Sequence, residues 1–247
     1  MDKLVYTALS GLKGQMNAQA TIANNIANAS TIGFRADRVN FERLMVKGDG
    51  FDSRQPSAET VVDMDRRAGA IVQTNRGLDV AITGDNWLAV QAADGSEAYT
   101  RRGDLRIAPS GVLETGDGFP VMGSGGPITV PPHDKIMIAD DGSISIVAPG
   151  ADPSQPPTVI DKLKLVSDQG TNTVKGLDNL LHVKGGGVLP PDLDGKVMAG
   201  SLEQSNVNLT QALVDMIENQ RSYEVQANLL RDAKQMDESA ASLMRIS

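Results

Sequence analysis

The chain holds two imidazoles, His133 and His182, and neither stands in the HxxxH or HExxH spacing of a zinc site. Ligation or proton transfer by them would need carboxylates converging from elsewhere, and no local pattern supplies these. Glycine-rich GSGGP at 123–127 has the small residues of a phosphate loop but not its lysine, and it lies between strand-like runs rather than ahead of a helix. A tight turn, with Pro127 opening a strand, accounts for it. Asp94, Asp140 and Asp141 lack the regular spacing and closing Glu of a calcium loop and read as turn formers. No serine sits in a GxSxG setting with a usable histidine. With Cys at 0, there is no thiol nucleophile, thiolate metal site or disulfide. The sequence assembles no catalytic, cofactor-binding or metal-binding group, and an enzyme is the weakest reading of it.

The side chains that stand out are amides and guanidiniums. ANNIANASTIGF at 23–34 crowds Asn24, Asn25 and Asn28 beside Ile22, Ile26 and Ala29. Asn is poor in a helix interior because its amide competes for nearby backbone groups. If such a cluster lies against a partner, its amides need fixed donors and acceptors there. A specificity device in a polymer or bundle and a frayed helix end followed by a turn both fit. Arg101-Arg102 reads either as an ion-pairing site for an acidic residue of another subunit or as a charged, solvated sheet edge. In SNVN at 205–208, Asn206 and Asn208 can cap the chain from Leu209 onward, and Arg221, if buried, would require a carboxylate or carbonyl partner.

The elements that position these groups are set by periodicity. Residues 3–29 predict an amphipathic helix with Leu4, Leu9, Leu12, Met16, Ile22 and Ile26 on its stripe, interrupted by Gly11 and Gly14. Two glycines in a helix are destabilising by about 1 kcal/mol each, and close approach of a second helix is a reason to keep them. Gly33 predicts the positive φ of a C-terminal turn, with Phe34 as an anchor beyond it. Residues 35–64 read as an extended connector with strands or a short helical turn, and Phe41, Leu44, Met45 and Val46 form a short apolar cluster. Short β-prone runs then recur over 65–200, including DVAI, WLAVQ, EAYT, DLRI, VLE, PITV, KIMI, SISIV, TVIDKLKLV and NLLHV. Asp94-Gly95, Asp117-Gly118, Asp141-Gly142 and Asp194-Gly195 supply turns. Trp87, the only Trp, packs one face of this domain. Pro-rich 148–157 reads as a surface loop. From Asn208, an N-cap with Gln211 at capping-box spacing, helical period returns through Leu209, Leu213, Met216, Tyr223, Ala227 and Leu230, with Gln220 in one seam position. The seam drifts, so a nearly straight helix with several neighbours fits better than an isolated coiled coil.

The fold class is therefore mixed: amphipathic N- and C-terminal helices, which pair in an assembly, flank one irregular, closed or sandwich-like all-β domain. The divisions are 1–32, an N-terminal axial helix; 33–64, an extended connector; 65–200, an all-β outer domain; and 201–247, a C-terminal axial helix. Aromatic content of 3% makes the core aliphatic and leaves few stacking platforms for bases. A formal charge of −8 argues against a general phosphate-backbone binder. No run of about 20 apolar residues exists to span a membrane, and the first residues lack the charged start and apolar core of a cleaved signal peptide.

ANNIANASTIGF resembles the signature of the bacterial flagellar rod and hook proteins, and the opening MDKLVYTALSG is most similar to the proximal-rod F branch of that family. RGLDVAITGDNWLAV at 76–90, EAYTRRGDLRIAPSGVLETGDGFPVMGSGGPITVP at 97–131 and LEQSNVNLTQALVDMIENQRSYEVQ at 202–226 resemble further family blocks. Asn86, Trp87 and Leu88 depart from the Gly-then-aromatic pattern of many members, which adjusts the local turn. The resemblance implies a structural subunit of the proximal rod of the flagellar basal body, part of the torque-transmitting axial drive shaft that crosses the periplasm. It implies partners in copies of itself and in adjacent rod proteins, the proximal rod B and C proteins and the distal rod G protein. It also implies delivery through the flagellar type III export apparatus with the N-terminus retained. Asn24, Asn25, Asn28, Gly33, Phe34, Trp87, Arg101, Asn206, Met216, Arg221 and Tyr223 match signature or packing positions. A distal-rod G-type subunit, an export-associated adaptor and a carbohydrate-binding β module are the alternatives.

Overall fold

In the computed structural model, residues 2–43, 57–152 and 155–244 are described. By contact the chain divides into a helical unit, comprising residues up to 29, 37–64 and from 207 on, and a β unit of residues 30–36 and 65–206.

The helical unit contains α1 (Asp2–Ala27), an antiparallel ribbon of β1 (Asp37–Arg43) and β2 (Ser57–Met64), and α2, which is Leu209–Met244. The ribbon gives the connector its strands; Leu44, Met45 and Val46 lie outside the described residues. α1 and α2 run antiparallel. A Cβ at Gly11 would meet the Gln226 side chain at 3.3 Å, and Asn219 Nδ2 donates to the Gln15 carbonyl at 3.0 Å and to Gln19 Oε1 at 2.8 Å. Gly11 thus gives the close approach that its helix cost predicts. From Leu9 onward, the α1 positions buried most deeply are Gly14 and Ala18, whereas Leu9 and Met16 of the expected stripe are 57% and 59% exposed. In α2 the seam runs through Ala212 and Asn219; Gln220, expected in it, is exposed. Asn208 Oδ1 accepts the Gln211 N–H at 3.1 Å, the predicted N-cap, while the Gln211 amide turns forward to Asp215 and leaves the capping box half made.

The β unit is built from short strands. Its largest sheet joins, from edge to edge, β12 (Leu165–Ser167), β5 (Asn86–Gln91), β6 (Glu97–Thr100), β14 (Leu181–Val183) and β13 (Thr173–Lys175). A three-stranded sheet holds β9 (Lys135–Ile138), β10 (Ser143–Val147) and β11 (Thr158–Lys162). Three ladders complete it: β15 (Val197–Ala199) on β4 (Val80–Ile82), β16 (Ser201–Glu203) on β3 (Ile71–Gln73), and β7 (Leu105–Ile107) on β8 (Leu113–Thr115). No sheet among the described residues closes on itself, so the expectation of one closed or sandwich-like domain reduces to an irregular multi-sheet domain. Strands this short end before a barrel can form. PITV makes only isolated bridges, from Pro127 to Met122 and from Thr129 to Val112. TVIDKLKLV divides because Leu163 turns its N–H to the Gly142 carbonyl and Lys164 turns its N–H to the Met122 carbonyl, leaving β10 for a new neighbour.

The sheets other than the β3–β16 ladder contribute to one aliphatic core containing Val80, Ile82, Leu88, Val90, Leu105, Leu113, Ile128, Ile144, Leu165 and Val197. Tyr99, fully buried, accepts the Leu189 N–H on its hydroxyl at 2.6 Å. Burial pushes its phenol up to about 12, against the lowering effect of that bond. Gly95, Gly118 and Gly142 adopt φ of 84°, 89° and 83°, as their Asp-Gly turns require.

Candidate assembly interface

The residues singled out by the sequence fall into both units. In the helical unit, the amides at the end of α1 have partners within the chain. Asn25 donates to the Asp37 carbonyl at 2.9 Å and accepts the Asp37 N–H at 2.8 Å, which imitates a strand pairing at the mouth of β1. Asn24 donates to the Asp37 carboxylate at 2.8 Å, and Asn28 folds back on Asn24 at 3.0 Å. Met216 is half-buried and Arg221 exposed, and Tyr223 is 39% exposed.

The exposed apolar side chains of this unit form its largest unpartnered feature. α2 presents Leu213, Val214, Ile217, Val225, Leu229 and Met236 at 43–63% exposure, on more than one side of the helix. A helix covered by one partner buries one stripe, so apolar residues left on other sides mark contact surface. The antiparallel register also leaves α2 longer than its partner. Facing positions 11 with 226 and 15 with 219 place the start of α1 near residue 235, so the last turns of α2 run past the end of α1.

In the β unit, Gly33, Phe34, Trp87, Arg101 and Asn206 sit around a buried carboxylate, Glu203 of β16. Glu203 is 2% exposed; its Oε1 takes Arg35 Nη2 at 2.6 Å and the Gly69 N–H at 2.8 Å, and its Oε2 takes Arg101 Nε at 2.8 Å. Arg101 Nη1 donates to the carbonyls of Gly84 and Asn86, and its guanidinium stands 5.8 Å from the Trp87 ring. Arg101 is 3% exposed, so it is not a solvated sheet edge, and its ion pair is with its own chain. Arg102 likewise pairs with Asp104 and Asp117. Burial lowers the pKa of Arg35 from its ordinary value, countered by Glu203 and reinforced by Arg101.

Backbone fit explains the small residues here. Gly33 has φ of 67°, and a Cβ on it would collide with the Arg101 carbonyl carbon. Phe34 is 4% exposed, with the Lys175 ammonium 3.7 Å above its ring. Asn206 does not cap α2. Its Oδ1 accepts the Ala36 N–H at 2.7 Å while Nδ2 donates to the carbonyls of Asp65 at 3.0 Å and Arg67 at 2.8 Å.

Sequence reasoning missed Arg35, Glu203 and Asn219. The signal for Glu203 was an acid within SLE, a strand buried along its whole length. The two histidines make separate contacts, His133 with the Pro131 carbonyl and His182 with Asp178. GSGGP is a tight turn closed by Gly123 N–H to the Gly126 carbonyl at 2.7 Å and steadied by Ser124 on Asp161.

Three family descriptions match the chain: "Flagella basal body rod protein" over residues 5–35, "Flagellar hook protein FlgE/F/G D1 domain" over 81–146 and "Flagellar basal body rod FlgEFG protein C-terminal" over 198–243. The flagellar basal-body rod protein FlgF of Salmonella typhimurium and that of Escherichia coli are each 39% identical over 100% of both chains. The flagellar basal-body rod protein FlgG of Bacillus subtilis is 29% identical over 99% of this chain and 100% of its own. No described helix is long and apolar enough to cross a membrane. Identity of 39% to FlgF across the full length, together with matches at both ends and the middle, places the chain in the bacterial flagellar basal-body rod protein family, a family of structural rather than catalytic subunits.

Proposed function

We propose that this rod subunit works in the proximal rod, as part of the axial drive shaft that carries torque across the periplasm. The observation that carries this reading is the apolar surface that α2 leaves open after α1 has packed on it. Other subunits' helices cover that surface, so α1 and α2 pair into an inner axial layer. The four-part division (1–32, 33–64, 65–200 and 201–247) follows these roles, except that 30–36 and 201–206, which holds β16, go with the β unit, and a sandwich-like reading of that unit rests on most of its sheets sharing one core. Asn24, Asn25, Asn28, Met216, Arg221 and Tyr223 belong to the axial packing; Gly33, Phe34, Trp87, Arg101 and Asn206 hold the β unit in shape. The neighbours are copies of this chain, the proximal rod B and C proteins and the distal rod G protein, reached through the type III export apparatus with the N-terminus retained. Repeated head-to-tail contacts of this kind build an open-ended assembly.

A cryogenic electron-microscopy map of detergent-extracted basal bodies tests the placement. Density for Ala23–Phe34 and Trp87 in the proximal axial layer is expected; finding the chain outside the axial structure would sink the reading. Ile217→Lys, a change at a 53% exposed position, is expected to leave the purified subunit's stability within about 0.5 kcal/mol while excluding it from rods. Normal rods built with this variant would remove the role given to α2.

A further inference from the structure

The β unit carries a cleft of about 530 Å³ between the glycine turn at 123–126, the end of β11 with the start of β12, and the 191–193 loop. Its floor is apolar. Met122 is half-buried, Leu163 and Leu165 reach it from the core, and Leu193 stands 80% exposed at its lip. Most of its charge is settled within the chain: Lys164 gives its ammonium to both Glu97 oxygens at 2.7 Å, and Asp192 accepts the Asp194 N–H at 3.0 Å. Lys162 is the exception. Its ammonium makes no hydrogen bond or ion pair among the described residues, and Asp141 acts on it only at a distance. Gly125 and Gly126 leave open space where a side chain would stand, so a guest can come close to the backbone there. A cleft of this volume holds a short turn of chain rather than one side chain.

A turn of matching chemistry lies at the other edge of the same five-stranded sheet. The β13–β14 hairpin closes over 176–180 and leaves Leu177 fully exposed, more so than any other large apolar side chain among the described residues. The turn is held from within. Gly176 N–H donates to the Leu180 carbonyl at 2.8 Å, Asn179 N–H to the Gly176 carbonyl at 3.2 Å, and Asp178 Oδ1 accepts the Leu180 N–H at 3.0 Å. A Leu on so fixed a turn gives up little freedom when it docks, and its burial is favourable. Beside it the part-exposed Asp178 carboxylate has one side-chain partner, His182 at 3.0 Å, and carries the charge that the Lys162 ammonium lacks as a partner. β12 and β13 are the two edges of the sheet, four strand spacings or about 19 Å apart, so the turn does not reach the cleft of its own chain.

From the open apolar cleft, the rigid and fully exposed Leu177, and the opposite charges of Lys162 and Asp178, we infer that the 176–180 turn of one copy docks in this cleft of a second copy. Each chain offers turn and cleft at opposite edges, so the contact is heterologous and repeats from copy to copy, as an open-ended assembly requires. The inference rests on the axial-assembly reading for the place where the copies meet.

With Cys at 0, an introduced cysteine pair reads the contact without background. Leu177→Cys combined with Leu193→Cys, both at exposed positions, is expected to give a ladder of disulfide-linked multimers when isolated rods are mildly oxidised, and neither single variant is expected to give one. Rods that contain the double variant in the parental amount but yield no ladder overturn the contact while leaving the axial reading standing. Equal dimers from Leu177→Cys alone also overturn it, since turn would then meet turn. The second arm uses the purified chain at millimolar concentration, where the methyl resonances of Leu177 and Leu193 are expected to shift together as concentration rises. Leu177→Asp and Leu193→Asp should each abolish the shifts with an unchanged unfolding midpoint. An equimolar mixture of the two should restore them, because the first variant keeps its cleft and the second keeps its turn. Shifts that are absent from the parent, or that the mixture does not restore, overturn the docking. Absence of the chain from rods would sink the axial reading, and the solution arm then decides the contact by itself.

Discussion

In the helical unit the seam between α1 and α2 carries amides, and much of the large apolar surface faces outward. In the β unit the arrangement differs: a continuous aliphatic core is enclosed, and Arg35 and Arg101 are enclosed around Glu203, while Leu177 and Leu193 stay exposed on its loops. The difference separates two kinds of stability. A unit that buries its own apolar residues holds its shape as a monomer. One that joins its helices through Asn219, Gln15 and Gln19 gains register from those bonds, while much of its large apolar surface stays open.

The comparison breaks most visibly at Glu203. Glu203→Gln leaves two guanidiniums buried around a neutral amide and is expected to destabilise the β unit by about 3–5 kcal/mol. Urea unfolding followed by Trp87 emission reads this directly, since the only Trp lies in that unit, and an unchanged midpoint would show that the trio is not what holds it. Next comes alkaline pH. The Tyr99 phenol titrates near 10 when unfolded and at about 12 in the folded chain, so its contribution is fully present below pH 10 and is lost as pH rises from 10 through 12. That loss amounts to about 2–3 kcal/mol. Tyr99→Phe should flatten this stretch of the stability curve relative to the parent; parallel curves would contradict the assignment.

Asn206→Ala removes the acceptor of the Ala36 N–H and the donor to two carbonyls, with an expected loss of about 2 kcal/mol in the same unfolding experiment. The smallest effect belongs to the helical unit. Asn208→Ala removes the cap of α2 and should lower its helical stability by about 1 kcal/mol, seen as faster amide exchange in residues 209–212 while β-unit exchange stays constant. Acceleration in both units would show that the two are more tightly coupled than their internal contacts imply.

Features set by local chemistry were legible in the sequence. The two helices, the Asn208 cap, the positive φ of Gly33 and most Asp-Gly turns depend on residues a few positions apart. Gly195 is the exception: it is not among the positive-φ glycines. Of the three-residue strands, β4, β7, β8 and β14 fall in runs named from the sequence, whereas β3 and β13 do not: β3 is wholly exposed and exists because the distant β16 offers it a ladder, and β13, with one exposed residue between two half-buried ones, is held by the next strand, β14. The same reason hid the site. Arg101 was recognisable as unusual, but its partner Glu203 lies 102 positions away, and nothing near either residue announces the pairing. Arg35 stood directly after the signature stretch, overshadowed by the asparagines before it. In α2 the seam lies on Asn219 rather than Gln220 because the amide that reaches α1, not the residue on the ideal apolar stripe, fixes the rotation of the helix.

Asn206 has a consequence for a chain with no cysteine. Its one amide bolts together three separated stretches of backbone, at 36, at 65–67 and at its own position, a task that extracellular proteins commonly give to a covalent bridge. A bolt made of hydrogen bonds can be drawn and driven again without oxidant or isomerase. A subunit fastened this way can be pulled straight through a narrow passage and set rigid on arrival, with no chemistry required at the far end.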